Sequence, residues 1–248
     1  LASCDHDVHD GEDEGGLSVS LTWADEADQG TEVKDVKLWI FNADKGSLIE
    51  EKHYGSTQEV ASQRFELPEG TYRILTTTNL TEPFFISEQT RSLTNWNNIL
   101  IGLTNPKDVR NNAYFGVADV KIDNKEGNYV VQNPIRSVLA ELTIIIENIP
   151  KGTEMSGKAL DCAWCLFPTQ KNSDGDYGLP SIEPTEVELP TLLATESTLK
   201  SEVIRLMPTI QGSSSSHIYL RLLLPDETLQ EFDITAPMMK VGGKYELR

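Results

Sequence analysis

Two pairs of residues stand at spacings that chemistry could use, Cys162 with Cys165 and Ser216 with His217. A Cys-x-x-Cys at a helix start is a redox pair. Here the flanks, Leu160-Asp161 and Leu166-Phe167, read as one strand, which sends the two side chains to opposite faces of a sheet. Three strand residues span roughly 10 Å, whereas a disulfide needs its Cα atoms within about 7 Å. Two unpaired, buried thiols are expected. Gly212-Ser213-Ser214-Ser215-Ser216-His217 sets serines beside a histidine, but without a Gly-x-Ser-x-Gly elbow it reads as a loop entering a strand. Asn172-Ser173-Asp174-Gly175-Asp176 has the oxygen density of a calcium loop and lacks the later bidentate glutamate, so a hairpin turn is expected. His6 and His9 lie among Asp5, Asp7 and Asp10, a ligand set that would first have to be ordered, and no metal site is expected there. Carboxylates are abundant, yet nothing singles out a catalytic pair. The expectation is a protein that binds and assembles without catalysis and without a cofactor.

Composition narrows the partners. Lysine and arginine total 21 against 39 aspartates and glutamates, a formal net charge of −18 over 248 residues. Such a field repels phosphate backbones and anionic lipid surfaces, so nucleic acid is excluded as a partner. No apolar run approaches the roughly 18 residues of a spanning helix. Three cysteines are too few for a disulfide scaffold, and the core must come from ordinary apolar packing.

The opening Leu1-Ala2-Ser3-Cys4 places a hydrophobic residue three positions before a cysteine, with two small residues between. It resembles a bacterial lipobox, which implies cleavage of a signal peptide before Cys4 and acylation of that residue. Acyl chains contribute about 0.8 kcal/mol per buried methylene, so several on one cysteine hold a protein on a bilayer without a spanning helix. The stretch from Asp5 to Gly16 is acidic, punctuated by glycine and nearly free of apolar residues, the composition of a solvated, disordered tether.

Period-two alternation dominates the remainder, which gives an all-β expectation with few, short helices. Leu17, Val19, Leu21 and Trp23 alternate with polar residues in a first strand, and Val36, Leu38 and Ile40 in a second that ends at the turn Asn42-Ala43-Asp44-Lys45-Gly46. Further strands are expected at 47–54, 60–67, 72–78, 114–122 and 128–132. Between Glu82 and Arg110 the pattern weakens, and a long connection with a short helix at Ser87 to Trp96 is expected. A second series covers 138–149, 160–167, 202–207, 217–224, 229–235 and 244–247, with 138–149 apolar enough for a central strand. Asn133-Pro134 precedes it and suggests a break, because proline removes a ladder donor. The expected organisation is a tether at 1–16 and β-sandwich domains at 17–133 and 134–248.

Lipobox, acidic tether and two consecutive sandwiches together resemble the fimbrillin superfamily of Bacteroidales, in particular its fimbrial anchor and minor-subunit lipoproteins. Val33 to Leu48 is similar to that group's early hairpin, and Arg136-Ser137-Val138-Leu139-Ala140-Glu141-Leu142-Thr143-Ile144 to its entry into the second domain. Gly70-Thr71-Tyr72 and Gly243-Lys244-Tyr245 echo one another as strand openings frequent in transthyretin-like sandwiches. The resemblance implies two transthyretin-like Greek-key sandwiches on the outer face of the outer membrane, with fimbrial subunits as partners. It also implies assembly by donor-strand exchange, in which an arginine-specific protease removes the first strand of polymerising members. This sequence departs from that pattern, since no arginine precedes Arg64 and no lysine precedes Lys34. Leu17, Val19, Leu21 and Trp23 are therefore expected to stay in place, as suits an anchor. Tyr245-Glu246-Leu247-Arg248 reads as strand, so either the natural chain continues or this protein accepts a strand from a partner. The competing expectation is capture of a host or glycan ligand on an exposed aromatic. Trp39 and Trp164 lie in apolar strands and are expected in the core, which leaves Trp96.

Overall fold

Alternation of apolar and polar residues produces nineteen strands among residues 15–88, 94–107 and 109–248, the parts of the chain that the computed structural model describes. Cys4 and nearly all of the acidic tether lie outside them. The first eight strands are β1 (Gly16–Trp23), β2 (Val36–Asn42), β3 (Leu48–Tyr54), β4 (Gly70–Thr78), β5 (Phe84–Glu88), β6 (Ile99–Leu103), β7 (Tyr114–Ile122) and β8 (Asn128–Ser137). They are followed by β9 (Ala140–Glu147), β10 (Glu154–Ala163), β11 (Cys165–Lys171), β12 (Tyr177–Pro180), β13 (Pro184–Glu188) and β14 (Leu192–Leu193). The last five are β15 (Thr198–Lys200), β16 (Ile204–Leu206), β17 (Ser215–Leu223), β18 (Leu229–Pro237) and β19 (Lys244–Leu247). The all-β expectation holds.

Six strands form the sheet β1-β8-β7-β4-β2-β3, antiparallel throughout except that β1 runs parallel to β8. Its central strands are apolar on both faces because both faces are covered. Val36, Leu38, Ile40 and Ile74 enter one core with Leu17 and Val19, while Trp39, Phe41, Leu75 and Phe115 enter a larger core on the other side. That larger core also takes Ile99, Ile101 and Leu166 from the sheet β12-β11-β6-β5, and it continues through the second half of the chain. There β13-β10-β17-β18, with β14 on β10, forms a sheet whose Met155, Ala159, Ile218 and Leu220 share the core with Leu142 and Ile144 of β9. β9 is central, as expected, since Leu142 pairs with Ile204 of β16 on one side and Tyr245 of β19 on the other.

Several expectations are corrected. The strand foreseen at 60–67 is the helix α1 (Thr57–Ala61) followed by an extended piece in which Phe65 bridges Leu17. Ser56 caps that helix by accepting from Glu59 N at 3.2 Å, and the Glu59 carboxylate accepts from Gly55 N at 2.9 Å, an arrangement written in the sequence as Ser-x-x-Glu. The connection between Glu82 and Arg110 carries the hairpin β5-β6, and Ser87, expected in a helix, lies in β5. Residues 89–93 of that expected helix lie outside the described residues. The strand foreseen at 160–167 is interrupted at Trp164, where the chain leaves the sheet of β10 for that of β11. Trp164, expected in the core, is 39% exposed at this crossing, with its N–H donated to Ser181 Oγ at 3.1 Å. Asn133-Pro134 lies inside β8, and the sheet β12-β11-β6-β5 takes two strands from each side of that position.

Candidate assembly edge

β1 is the edge strand of its sheet and is paired along its whole length, from Gly16 opposite Asn128 to Trp23 opposite Ile135. The four residues singled out for assembly share this strand. Leu17 and Val19 are fully buried, Leu21 is half-buried in the same core, and Trp23 sets its ring edge-on to Tyr114 at 5.0 Å. Both ends are fastened. Gly16 N donates to Gly127 O at 2.9 Å, and Leu17 and Phe65 exchange main-chain bonds at 3.0 and 2.9 Å. At the exit Ala24 N donates to Ile135 O at 2.9 Å. Asp25 then caps a short 3-10 turn, Glu26–Asp28, by accepting from Ala27 N at 2.9 Å.

Lys244, the first residue of β19, reaches this turn with its Nζ 2.8 Å from Asp25 Oδ2 and 3.2 Å from Asp28 Oδ1. Burial alone would lower the Lys244 ammonium, but the two carboxylates outweigh it and raise its pKa. The hydrogen bonds from Lys244 and from Ala27 N hold Asp25 below the usual carboxylate range. The clamp joins the exit of β1 to the start of β19. β1 pairs parallel to β8 as far as Ile135, and β19 pairs parallel to β9 in another sheet, where Glu141 N donates to Gly243 O at 2.8 Å and Lys244 pairs with Glu141. Burial of Leu17 and Val19 contributes about 1.5–3 kcal/mol each, whereas a surface ion pair contributes roughly 0–1 kcal/mol. Packing therefore holds β1, and the lysine sets where the chain leaves it.

Pro134 sits in β8 without an N–H to give. The neighbouring Asn133 side chain supplies a donor in that place, its Nδ2 lying 3.3 Å from Gly116 O and 3.0 Å from Thr76 Oγ1. Position 116 must be glycine for this, because a Cβ there would stand 2.4 Å from Asn133 Oδ1 and 2.8 Å from Pro134 O. The device lets β8 run uninterrupted under β1. Neither it nor the Lys244 clamp was foreseen from the sequence, and the only local signal is the asparagine beside the proline.

Trp96 lies in a 3-10 turn, Trp96–Asn98, and is half-buried. The Arg73 guanidinium carbon stands 4.0 Å from its ring centroid, and Arg73 is itself fixed by Asp119 through contacts of 2.7 and 3.1 Å. Burial would raise the Asp119 carboxyl, but the Arg73 and Tyr177 hydrogen bonds outweigh it and lower its pKa. One face of the indole is thus covered by a cation.

The other chemical candidates are occupied in structural roles. His217 Nδ1 meets Asp161 Oδ2 at 2.5 Å, while Ser216 is buried on the opposite face of β17 and shares a hydrogen bond with Thr209. Asn172 to Asp176 is the turn of the hairpin β11-β12, closed by Asn172 N donating to Asp176 O at 2.8 Å and by Asn172 Oδ1 accepting from Asp174 N and Asp176 N. Cys162 and Cys165 are buried and unbonded. Burial pushes the Cys162 thiol up to about 12 and the Cys165 thiol up to about 11. Among the described residues no group of three or more His, Cys, Asp or Glu side chains is arranged to hold a metal ion.

Residues 4–246 match the family described as fimbrillin-A associated anchor proteins Mfa1 and Mfa2. The fold is similar to that of the fimbrial anchor protein Mfa2 from Porphyromonas gingivalis, at 15% identity and a TM-score of 0.60, over 88% of this chain and 82% of that one. It is also similar to a fimbrial assembly protein from Parabacteroides distasonis, at 13% identity and a TM-score of 0.55, over 94% of this chain and 90% of that one. No curated protein matches the sequence. With a match over nearly its whole length, the chain belongs to the family of fimbrillin-A associated anchor proteins Mfa1 and Mfa2.

Proposed function

We propose that this protein is a surface lipoprotein held to the outer membrane through Cys4, and that it serves as the anchor or a minor subunit of a fimbria. It meets other fimbrial subunits by strand pairing and supports adhesion without catalysing a reaction. The observation that carries the reading is the retained first strand. β1 is paired at every residue, buried at Leu17 and Val19 and fastened at both ends. No arginine occurs in it or in the loop after it. A cut at Arg64 would free β1 only together with β2 and β3, and β2 is itself paired across six residues of β4. A sheet that keeps its own strand has no vacant groove there, so the protein ends a filament instead of propagating one.

Treatment with an arginine-specific protease, followed by mixing with purified fimbrial subunits and light scattering, tests this. Retention of Leu17 to Trp23 and one-to-one capping of filament ends are expected. Self-polymerisation into long filaments after protease treatment would overturn the anchor assignment.

A further inference from the structure

β18 is the outermost strand of the sheet β13-β10-β17-β18, and among the described residues no strand pairs with its outer side. It is nine residues long, and the first five are all exposed. The hairpin with β17 decides which main-chain groups face outward. Leu224 N donates to Thr228 O at 2.9 Å, and in an antiparallel ladder the hydrogen-bonded pairs recur at every second residue. Gln230, Phe232, Ile234 and Ala236 therefore bond to β17, whereas Leu229, Glu231, Asp233 and Thr235 direct their N–H and C=O groups to the open side. His217, opposite Thr235, agrees with this phase, since its N–H turns away from β18 and donates to Asp161 Oδ2 at 3.0 Å.

The two faces of this edge differ. On the core side Ile234 and Ala236 pack against the rim of the main core, and Phe232, opposite the buried Leu220, is 42% exposed beyond it. On the outer side β18 carries Glu231 and Asp233 and no lysine or arginine. The cations of this face of the sheet are already matched. Lys158 lies 3.2 and 3.5 Å from the carboxylates of Glu186 and Glu188, and Arg221 lies 3.4 Å from that of Glu231. Asp233 is left without a cation partner among the described residues. An open strand edge offers donors and acceptors that an added strand can satisfy, with alternate side chains sent to the two faces.

We propose that the outer edge of β18 is a docking surface for an extended segment of a partner protein, in which apolar residues alternate with basic ones. The segment's main chain pairs with Leu229, Glu231, Asp233 and Thr235. Its apolar residues continue the row of Phe232 and Ile234, and its basic residues meet Glu231 and Asp233. Charge selects the partner. Antiparallel pairing of two copies about Phe232 would set Glu231 of each against Asp233 of the other, and like charges directly opposite destabilise a ladder, so a second copy of this chain is refused. The net charge of −18 attracts a basic segment and repels an acidic one. β18 belongs to another sheet than β1, and the proposal stands whether or not β1 is retained.

Fluorescence anisotropy and amide hydrogen exchange on the full chain at physiological salt test the assignment with labelled nine-residue peptides, matched in length to β18. One alternates valine with lysine, one serine with lysine and one valine with glutamate. The valine-lysine peptide is expected to bind and the other two are not. When bound it should slow exchange at Leu229, Glu231, Asp233 and Thr235 and leave Phe232 and Ile234, already bonded to β17, unchanged. Asp233→Lys, with folding checked by a thermal melt, should weaken binding at least fivefold. Failure of the valine-lysine peptide to bind, equal binding of the serine-lysine peptide, binding without added protection at those four amides, or unchanged affinity in folded Asp233→Lys would overturn the proposal. None of these results bears on the capping experiment, whose outcome rests on β1.

Discussion

At the scale of the residue, Cys162 and Cys165 show how a sound expectation can rest on a wrong intermediate. Their free thiols follow from sequence spacing only if one strand carries both. In the molecule the strand breaks at Trp164, and each cysteine is buried in its own sheet. The same break turns Trp164 outward, because a chain that changes sheets must present something at the crossing. Burial raises the two thiols to about 12 and about 11, so both are held as thiols at pH 8, and the thiolate is the nucleophile. Native protein is therefore expected to leave dithionitrobenzoate unreacted at Cys162 and Cys165 at pH 8. After unfolding in guanidinium without reductant both should titrate at once. A missing pair of thiols after unfolding would mean that they are bridged.

At the scale of the element, β1 invites a direct manipulation. Gln29 is exposed in the loop that follows it, where no arginine stands. Gln29→Arg should make that loop cleavable by an arginine-specific protease with little effect on stability, since exposed substitutions usually change it by less than about 0.5 kcal/mol. The cut variant should keep β1 bound until mild denaturant releases it, because the burial of Leu17 and Val19 does not depend on the peptide bond. Once stripped, it should take up an added peptide of the β1 sequence, Gly16 to Trp23, at the vacated edge, which the uncut protein should refuse. Uptake of that peptide by the uncut protein, seen in size-exclusion chromatography with a labelled peptide, would mean that β1 does not close the edge.

The strands that could be read in advance, such as β2, β7 and β19, have clean alternation over several residues. β5, β6 and β12 to β15 were not legible, being two to five residues long and too short to show a period, whereas β16 falls within the strand expected at 202–207. The pairing of Lys244 with Asp25 lies beyond any local pattern, since 219 positions separate them. The helix at Thr57–Ala61 is a different case, because its capping signature was present and its single buried side chain, Val60, looked equally like the start of a strand.

At the scale of the whole molecule, charge bears on the membrane anchor proposed above. With 39 acidic residues against 21 basic ones, its field opposes adsorption to an anionic surface. Among the described residues no helix is long and apolar enough to cross a bilayer. In the reading proposed above, Cys4 and the acyl chains that the lipobox pattern implies supply the hold. Each buried methylene contributes about 0.8 kcal/mol, so two or three chains of ordinary length outweigh the repulsion of the acidic tether. Full-length protein made in its host is accordingly expected to incorporate labelled palmitate and to enter the detergent phase on Triton X-114 partitioning. Cys4→Ala should do neither and should appear in the aqueous phase as folded protein with an unchanged melting temperature. If Cys4→Ala remained in the detergent phase, the hold would have to come from another part of the chain or from a partner subunit, and the anchor would have to be sought there.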